Sequence, residues 1–192
     1  MKVSSKQRAW GVLEKVALQS SSATIDQESP EIYKLYMDDD GTYPNNQNYP
    51  LLLYRSAFHG TERDGIDTIV SSGEWTRPWV GEVFTFHHYH CTAWEILVCV
   101  AGEADVQIGG PKGPVVKFFS GDVALIPPGL AHTQIQDCNG FTLLGSYPKE
   151  GFSGTIDTLR GAPTEEQRAN IKACVTPETD PVLGLNLADL WK

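Results

Sequence analysis

Residues 87–95 read HHYHCTAWE, three histidines and a glutamate between the apolar runs VFTF and ILVCV. Imidazoles and carboxylates are costly to bury without partners. In an extended chain, alternate side chains share a face and lie about 6.6 Å apart. His88 and His90 therefore point the same way as Phe84 and Phe86, while His87 and Tyr89 point the other. CTAW is long enough for a turn, so Glu95 can return beside the pair on the next strand. Further on, Pro127-Pro128-Gly129 makes a tight turn, and His132 opens a new strand whose face also carries Gln134 and Gln136. If these strands are neighbours, three imidazoles and a carboxylate converge inside the protein. A divalent metal held by His88, His90, Glu95 and His132 would compensate their burial and keep positions open for water or substrate.

Taken singly, each of these residues has an ordinary structural role open to it. A His-x-His pair occurs on exposed strands, Glu95 could be an edge-strand charge, and His132 a hydrogen-bonded core histidine. Their joint spacing favours the metal. His87 is expected to be exposed, and His59 to sit in a loop without a role. Phe84 and Phe86 supply an aromatic pocket wall, and Gln134 and Gln136 supply amides. Such a mix suits a small, partly apolar molecule with one oxygen that reaches the metal. Arg55 is a candidate for holding a substrate carboxylate, with a solvent-facing edge-strand arginine as the plainer reading. Tyr54 and Tyr147 are candidate acid/base groups. Trp94, one residue before Glu95, should turn its ring away, toward a second sheet or the helix around Ile66.

The elements that must position these groups are mostly short strands. From Gly81 to Tyr147 the chain alternates apolar runs with Gly/Pro turns: EVFTFHHYH, EILVCV, EADVQI, VVKFF, DVALI, AHTQIQ and FTLLGSY. Such spacing predicts an all-β sandwich or barrel. Upstream, EIYKLYM and LLLYRSAF are strand candidates, and a helix follows Thr61 as N-cap. A second helix starts near Thr164 and stops before Pro177. The tail DPVLGLNLADLW is apolar enough to dock on the domain. Residues 1–30 form an N-terminal extension, with a short amphipathic helix over Ala9–Leu18 and a linker after it. Residues 31–192 form one domain.

The chain has 192 residues, 41% of them hydrophobic, which suits one compact domain. Its net charge of −9 repels phosphate backbones, which argues against nucleic acid as a partner. No apolar run reaches the length of a membrane span, and the N-terminus lacks a secretory pattern. Cys91, Cys99, Cys138 and Cys174 form no C-x-x-C pair and read as free thiols. The expectation is a soluble, cytoplasmic protein.

The joint spacing resembles the cupin superfamily of jelly-roll β-barrels. The first cupin motif, H-x-H followed by a glutamate and then a glycine, reads here as His88, His90, Glu95 and Gly102. The second, G-x5-P-x-G-x2-H, reads as Gly121, Pro127, Gly129 and His132. Gln136 stands where the family motif ends in asparagine, and Gly81 lies one residue upstream of the usual leading glycine. DDDGTYPNNQNYPLLLYR, FHHYH with its glutamate, GDVALIPPG and the tail also resemble the stand-alone YjlB-type cupins, over roughly residues 31–192. In that group a histidine often precedes the glutamate, where this chain has Trp94.

The resemblance implies an all-β cupin jelly roll with a few peripheral helices. It also implies a metal on His88, His90, Glu95 and His132. Iron, manganese, nickel, copper, cobalt and zinc all suit that donor set. Three functions follow. The first is a metal-dependent enzyme on a small oxygenated organic molecule, a dioxygenase or a non-redox lyase, isomerase or cyclase. The second is a cofactor-free epimerase, which an intact ligand set disfavours. The third is a non-catalytic small-molecule-binding protein. A homodimer is expected because an open sandwich has edges to cover.

Overall fold

A computed structural model describes residues 10–16, 30–152 and 154–191. Among these residues, eight strands, β1 (Leu13–Lys15), β2 (Glu31–Leu35), β3 (Leu51–Arg55), β4 (Trp79–Gly81), β5 (Glu95–Ile108), β6 (Val115–Phe119), β7 (Val123–Ile126) and β8 (His132–Ser146), make one antiparallel sheet. The order is β1-β2-β3-β7-β5-β8-β4, with β6 paired to β5 off that path. The described helices flank the sheet: α1 (Glu62–Ser71), α2 (Glu165–Ala173) and α3 (Leu187–Leu190). This is an all-β jelly roll with peripheral helices, as expected.

Both faces of the central strands are buried, which explains the unbroken apolar runs LLLYR and EILVCV. One face of β5 carries Leu97, Cys99, Ala104 and Val106 into the interior with Leu51, Leu53, Ala124, Phe118 and Leu143. The other carries Ile96 and Val98 against Leu52, Val123 and Leu125, under Ile69 of α1 and Leu187 and Leu190 of α3. Glu95 has the parity of Leu97 and so faces inward; Trp94 joins the outer cluster. Its ring lies 5.2 Å from those of both Tyr49 and Trp191, away from the interior as the alternation requires. Thr61 and Thr164 each close a capping box at α1 and α2. The tail is turned by Asp180, whose carboxylate accepts from the Val182, Leu183 and Leu185 amides.

Three expectations need correction. EILVCV and EADVQI are one strand, as are AHTQIQ and FTLLGSY. Gly102, read as a turn, instead bends β5 at φ +67°, and Asn139 and Gly140 do the same for β8. A Cβ on Gly102 would sit 2.4 Å from the Phe141 nitrogen, so β5 and β8 approach there as only glycine allows. EVFTFHHYH is not a strand. Only Trp79–Gly81 pairs with β8; the chain then makes single bridges, His88 with His132 and Tyr89 with Leu159. Two different partners in succession leave neither ladder room to extend. Residues 10–16 are not helical: Leu13–Lys15 adds an edge strand to β2, with Leu13 packed on the core. Sheet pairing and burial outweigh a weak helical pattern. Positions 9, 17 and 18 of that reading, and the linker at 20–29, lie outside the described residues.

The four cysteines are free. No helix among the described residues is long and apolar enough to cross a membrane.

Gly102→Ala should destabilise the fold by about 1–3 kcal/mol, since it combines a positive φ with a backbone clash. Urea denaturation checks it; a midpoint equal to that of the native protein would show that the bend tolerates a side chain.

Candidate metal centre

His88 and His90 come from the irregular segment after β4, Glu95 opens β5, and His132 opens β8. His88 and His132 are tied by a reciprocal backbone pair, N–H to O at 3.2 and 3.0 Å. Their rings lie 4.2 Å apart between centroids. One ligand atom from each of His88, His90 and His132 lies within 4.8 Å of the others, and all three residues are buried. Glu95 Oε2 stands 3.4 Å from His90 Nε2 and 3.3 Å from His132 Nε2. Three of the four predicted ligands, His88, His90 and His132, therefore converge, and Glu95 stands beside two of them.

Each imidazole is oriented from behind. The Nδ1 atoms of His88, His90 and His132 lie against the carbonyl oxygens of Phe86, Asp157 and Leu130. A ring that donates Nδ1–H to a carbonyl keeps a lone pair on Nε2, the arrangement metal-binding histidines use. Among the described residues, His90 Nε2 and Glu95 Oε2 are buried with no hydrogen-bond partner. Unpaired buried polar atoms cost about 1–3 kcal/mol each. A cation among three imidazole lone pairs and a carboxylate would satisfy both, so the donors present fit a divalent transition metal.

Burial lowers His90, but the Glu95 charge and hydrogen bond and the Asp157 carbonyl outweigh it and raise it overall, so in the absence of a metal His90 favours a proton shared toward Glu95. Burial, then the neighbouring His132 and His90 rings, pushes His88 down to about 3, so it stays neutral. Against burial, which would raise it, His90 and His132 hold the Glu95 carboxyl well below the usual range. Tyr147 donates its hydroxyl to Glu95 Oε1 at 3.0 Å and accepts from Trp79 Nε1 at 3.2 Å. One carboxylate oxygen is thus held by Tyr147 while the other faces the imidazoles. Burial and the Glu95 charge push the Tyr147 phenol up, which keeps it a neutral donor.

A cavity of about 330 Å³ opens on this cluster. Trp79, Val83, Phe84, Leu97 and Ile156 form apolar walls; Glu82, Tyr147 and Thr158 add polar groups. Phe84 lines it as expected. Phe86 stands behind, stacked on Phe84 at 4.9 Å and edge-on to His88 at 5.7 Å. Other expectations fail. Gln136 is exposed, because β5 and β8 shift register between Asp105 and Val106 and break the alternation from His132. Gln134 is buried but does not line the cavity; its amide reaches Glu82 instead. Arg55 pairs with Asp122 and the Lys117 carbonyl and also lies off the cavity. Tyr54 is buried in the outer cluster, apart from the site. His87 is half-buried, its ring 5.6 Å from that of Tyr43; His59 is exposed in a loop.

Sequence reasoning missed Trp79, Glu82 and Asp157. Trp79 lies flat against Gly145, where a Cβ would come within 2.0 Å of the indole. Asp157 holds His90 through its carbonyl, and its carboxylate accepts from the amides of Cys91 and Thr92 and the Thr92 hydroxyl. It thereby secures the turn between His90 and Glu95. No spacing marks Asp157, 67 residues from its partner.

No family model matches the chain. It is 36% identical over 166 residues to the uncharacterized protein YjlB of Bacillus subtilis strain 168, covering 84% of this chain and 97% of that one. Among solved structures, it is similar to an oxalate decarboxylase at 13% identity and a TM-score of 0.30, over 72% of this chain. The chain spans only 30% of that enzyme's length. It is also similar to the plu4264 protein of Photorhabdus luminescens, at 12% identity and a TM-score of 0.26, over 82% of this chain and 94% of that one.

Protein purified without a histidine tag should carry about one divalent transition metal per chain by elemental analysis. His132→Ala should lose it, and equal metal content in both would refute the site. Glu95→Gln should weaken retention by at least the roughly 10–100-fold that loss of an outer-shell partner costs. Because His90 and His132 hold the Glu95 carboxyl below its usual range, the carboxylate stabilises the metal-free fold at neutral pH, and Glu95→Gln should lower that stability as well. Unchanged metal retention in Glu95→Gln would identify Glu95 as a structural ion-pair partner and not a ligand.

Proposed function

Since the chain belongs to the YjlB family of single-domain cupins, we propose that it is a metal-dependent enzyme that oxygenates a small organic molecule. The observation that carries this reading is the pairing of four inward-facing donors with one apolar cavity. His88, His90, Glu95 and His132 would hold the ion. A bound transition ion would supply Lewis acidity and, as iron, oxygen activation, at the roughly two positions that four protein donors leave on a six-coordinate centre. Trp79, Val83, Phe84 and Leu97 exclude water and favour a flat or apolar substrate body. Tyr147 keeps Glu95 in a fixed orientation and presents a neutral hydroxyl beside it. All these groups come from one chain, so the reading does not depend on a second copy.

That Tyr147 hydroxyl also favours a second reading, a non-redox lyase, isomerase or cyclase. In it the ion would act as a Lewis acid alone, with Tyr147 as a neutral hydrogen-bond donor and not a proton source, since burial and the Glu95 charge push its phenol up. A third function, storage or sensing of a ligand, uses the same cavity without turnover.

The discriminating experiment is turnover of a panel of phenols, enols and keto acids by iron-loaded protein, in air and under strict anaerobiosis. The expected result is product formation with matching oxygen uptake, lost without oxygen. Equal rates under both conditions would replace the dioxygenase with a lyase or isomerase. No turnover with any metal across the panel would support a binding protein.

A further inference from the structure

Glu82 puts a second carboxylate on the cavity lining. The metal ligands lie at the floor, at 1–5% exposure, whereas Glu82 is solvent-exposed and so stands toward the rim. Its position is built. Gln134, only 4% exposed, donates its side-chain amide to Glu82 Oε2 at 3.1 Å. The Gln134 backbone N–H and the Thr133 hydroxyl both donate to the Phe84 carbonyl, at 3.0 and 3.2 Å. Residues 82–84 are thus pinned against the start of β8. Only Oε2 of Glu82 is engaged among the described residues, which leaves Oε1 as an acceptor.

Among the described residues, no lysine or arginine lines the cavity. Arg55 is held by Asp122, and Arg160 lies over the Phe86 ring at 3.4 Å. A divalent ion together with Glu95 and Glu82 sums to zero formal charge. An anionic group at the rim would meet the Glu82 carboxylate with no lysine or arginine on the cavity lining to offset it, and like charges at close range repel. A hydroxyl or amino group there would instead donate to a carboxylate, a charge-assisted bond.

We propose that Glu82 makes the site selective for substrates with an oxygen for the metal at one end and a hydroxyl or amino donor at the other. Substrates with a carboxylate at that far end are rejected. The proposal rests on the metal-dependent reading above and narrows its substrate class.

The test uses zinc-loaded protein and three probes of similar size: 4-(hydroxymethyl)benzoate, 4-methylbenzoate and benzene-1,4-dicarboxylate. Each offers a carboxylate to the metal, with a donor, no polar group or a second carboxylate opposite, and the dicarboxylate presents a carboxylate at the rim whichever way round it binds. Calorimetric titration should show the alcohol binding about tenfold more tightly than the dicarboxylate, the difference expected for one charge-assisted hydrogen bond. The methylbenzoate should fall between them. Glu82→Gln, with zinc content unchanged, should bring the alcohol-to-dicarboxylate ratio to about one by strengthening the dicarboxylate. Equal binding of the three probes by the native protein, tighter dicarboxylate binding, a ratio unmoved in Glu82→Gln, or no binding of any probe overturns the role of Glu82 and leaves the metal site standing. Failure of the native protein to bind zinc overturns both.

Discussion

Glu95 is a carboxylate at 3% exposure, facing the inside of a β-barrel. Nothing in the apolar interior could stabilise it alone, and an isolated buried anion would cost several kcal/mol. The imidazoles of His90 and His132 stand beside it, Tyr147 takes its second oxygen, and His88 completes the ring. Each imidazole is in turn fixed by a backbone carbonyl. The consequence is a set of imidazole nitrogens and carboxylate oxygens turned toward one centre, which asks for positive charge there, as a metal ion or as a proton on His90 facing Glu95. Such a set has one natural complement, a cation.

The barrel supplies the frame for that set by strand alternation. β5 and β8 run the length of the sheet and pair throughout, kinked where Gly102 meets Phe141. Alternation sends Glu95 and Leu97 inward and Trp94, Ile96 and Val98 outward, under α1 and α3. The irregular segment from Glu82 to His90 and the stretch around Asp157 then close over the open end. They are held by a handful of backbone bonds to His132, Gln134, Tyr89 and Leu159. Loops placed on a rigid scaffold commonly carry function for this reason: their side chains can be aimed without disturbing the ladder.

The cavity itself is unusual in its charge. Its walls are apolar, its polar groups are two carboxylates and two hydroxyls beside the imidazoles, and no lysine or arginine among the described residues lines it. With no lysine or arginine on that lining, a bound cation would be the strongest attraction for a substrate oxygen, while the rim favours a hydrogen-bond donor. Binding energy and orientation are thereby assigned to opposite ends of one small chamber.

What the sequence determined by itself was the local and periodic part. His88 and His90 share a face, Glu95 follows the CTAW turn and His132 the Pro-Pro-Gly turn at cupin spacing, Thr61 and Thr164 cap helices, and Trp94 turns away from Glu95. Each follows from a two-residue or helical period that neighbouring residues alone impose. The tertiary structure decided what depends on approach between distant segments. Gly102 reads as a turn but is a bend, because only its contact with Phe141 reveals the continuous strand. Gln136 leaves the predicted face because a register shift against β5 breaks the alternation. Leu13–Lys15 becomes a strand because β2 offers it an edge. Asp157, Glu82 and Trp79 enter the site with no motif to announce them, since a hydrogen bond or ring contact across 50 or more residues requires only proximity in space. Periodicity is written in adjacent residues; proximity is created only when the chain closes into the barrel.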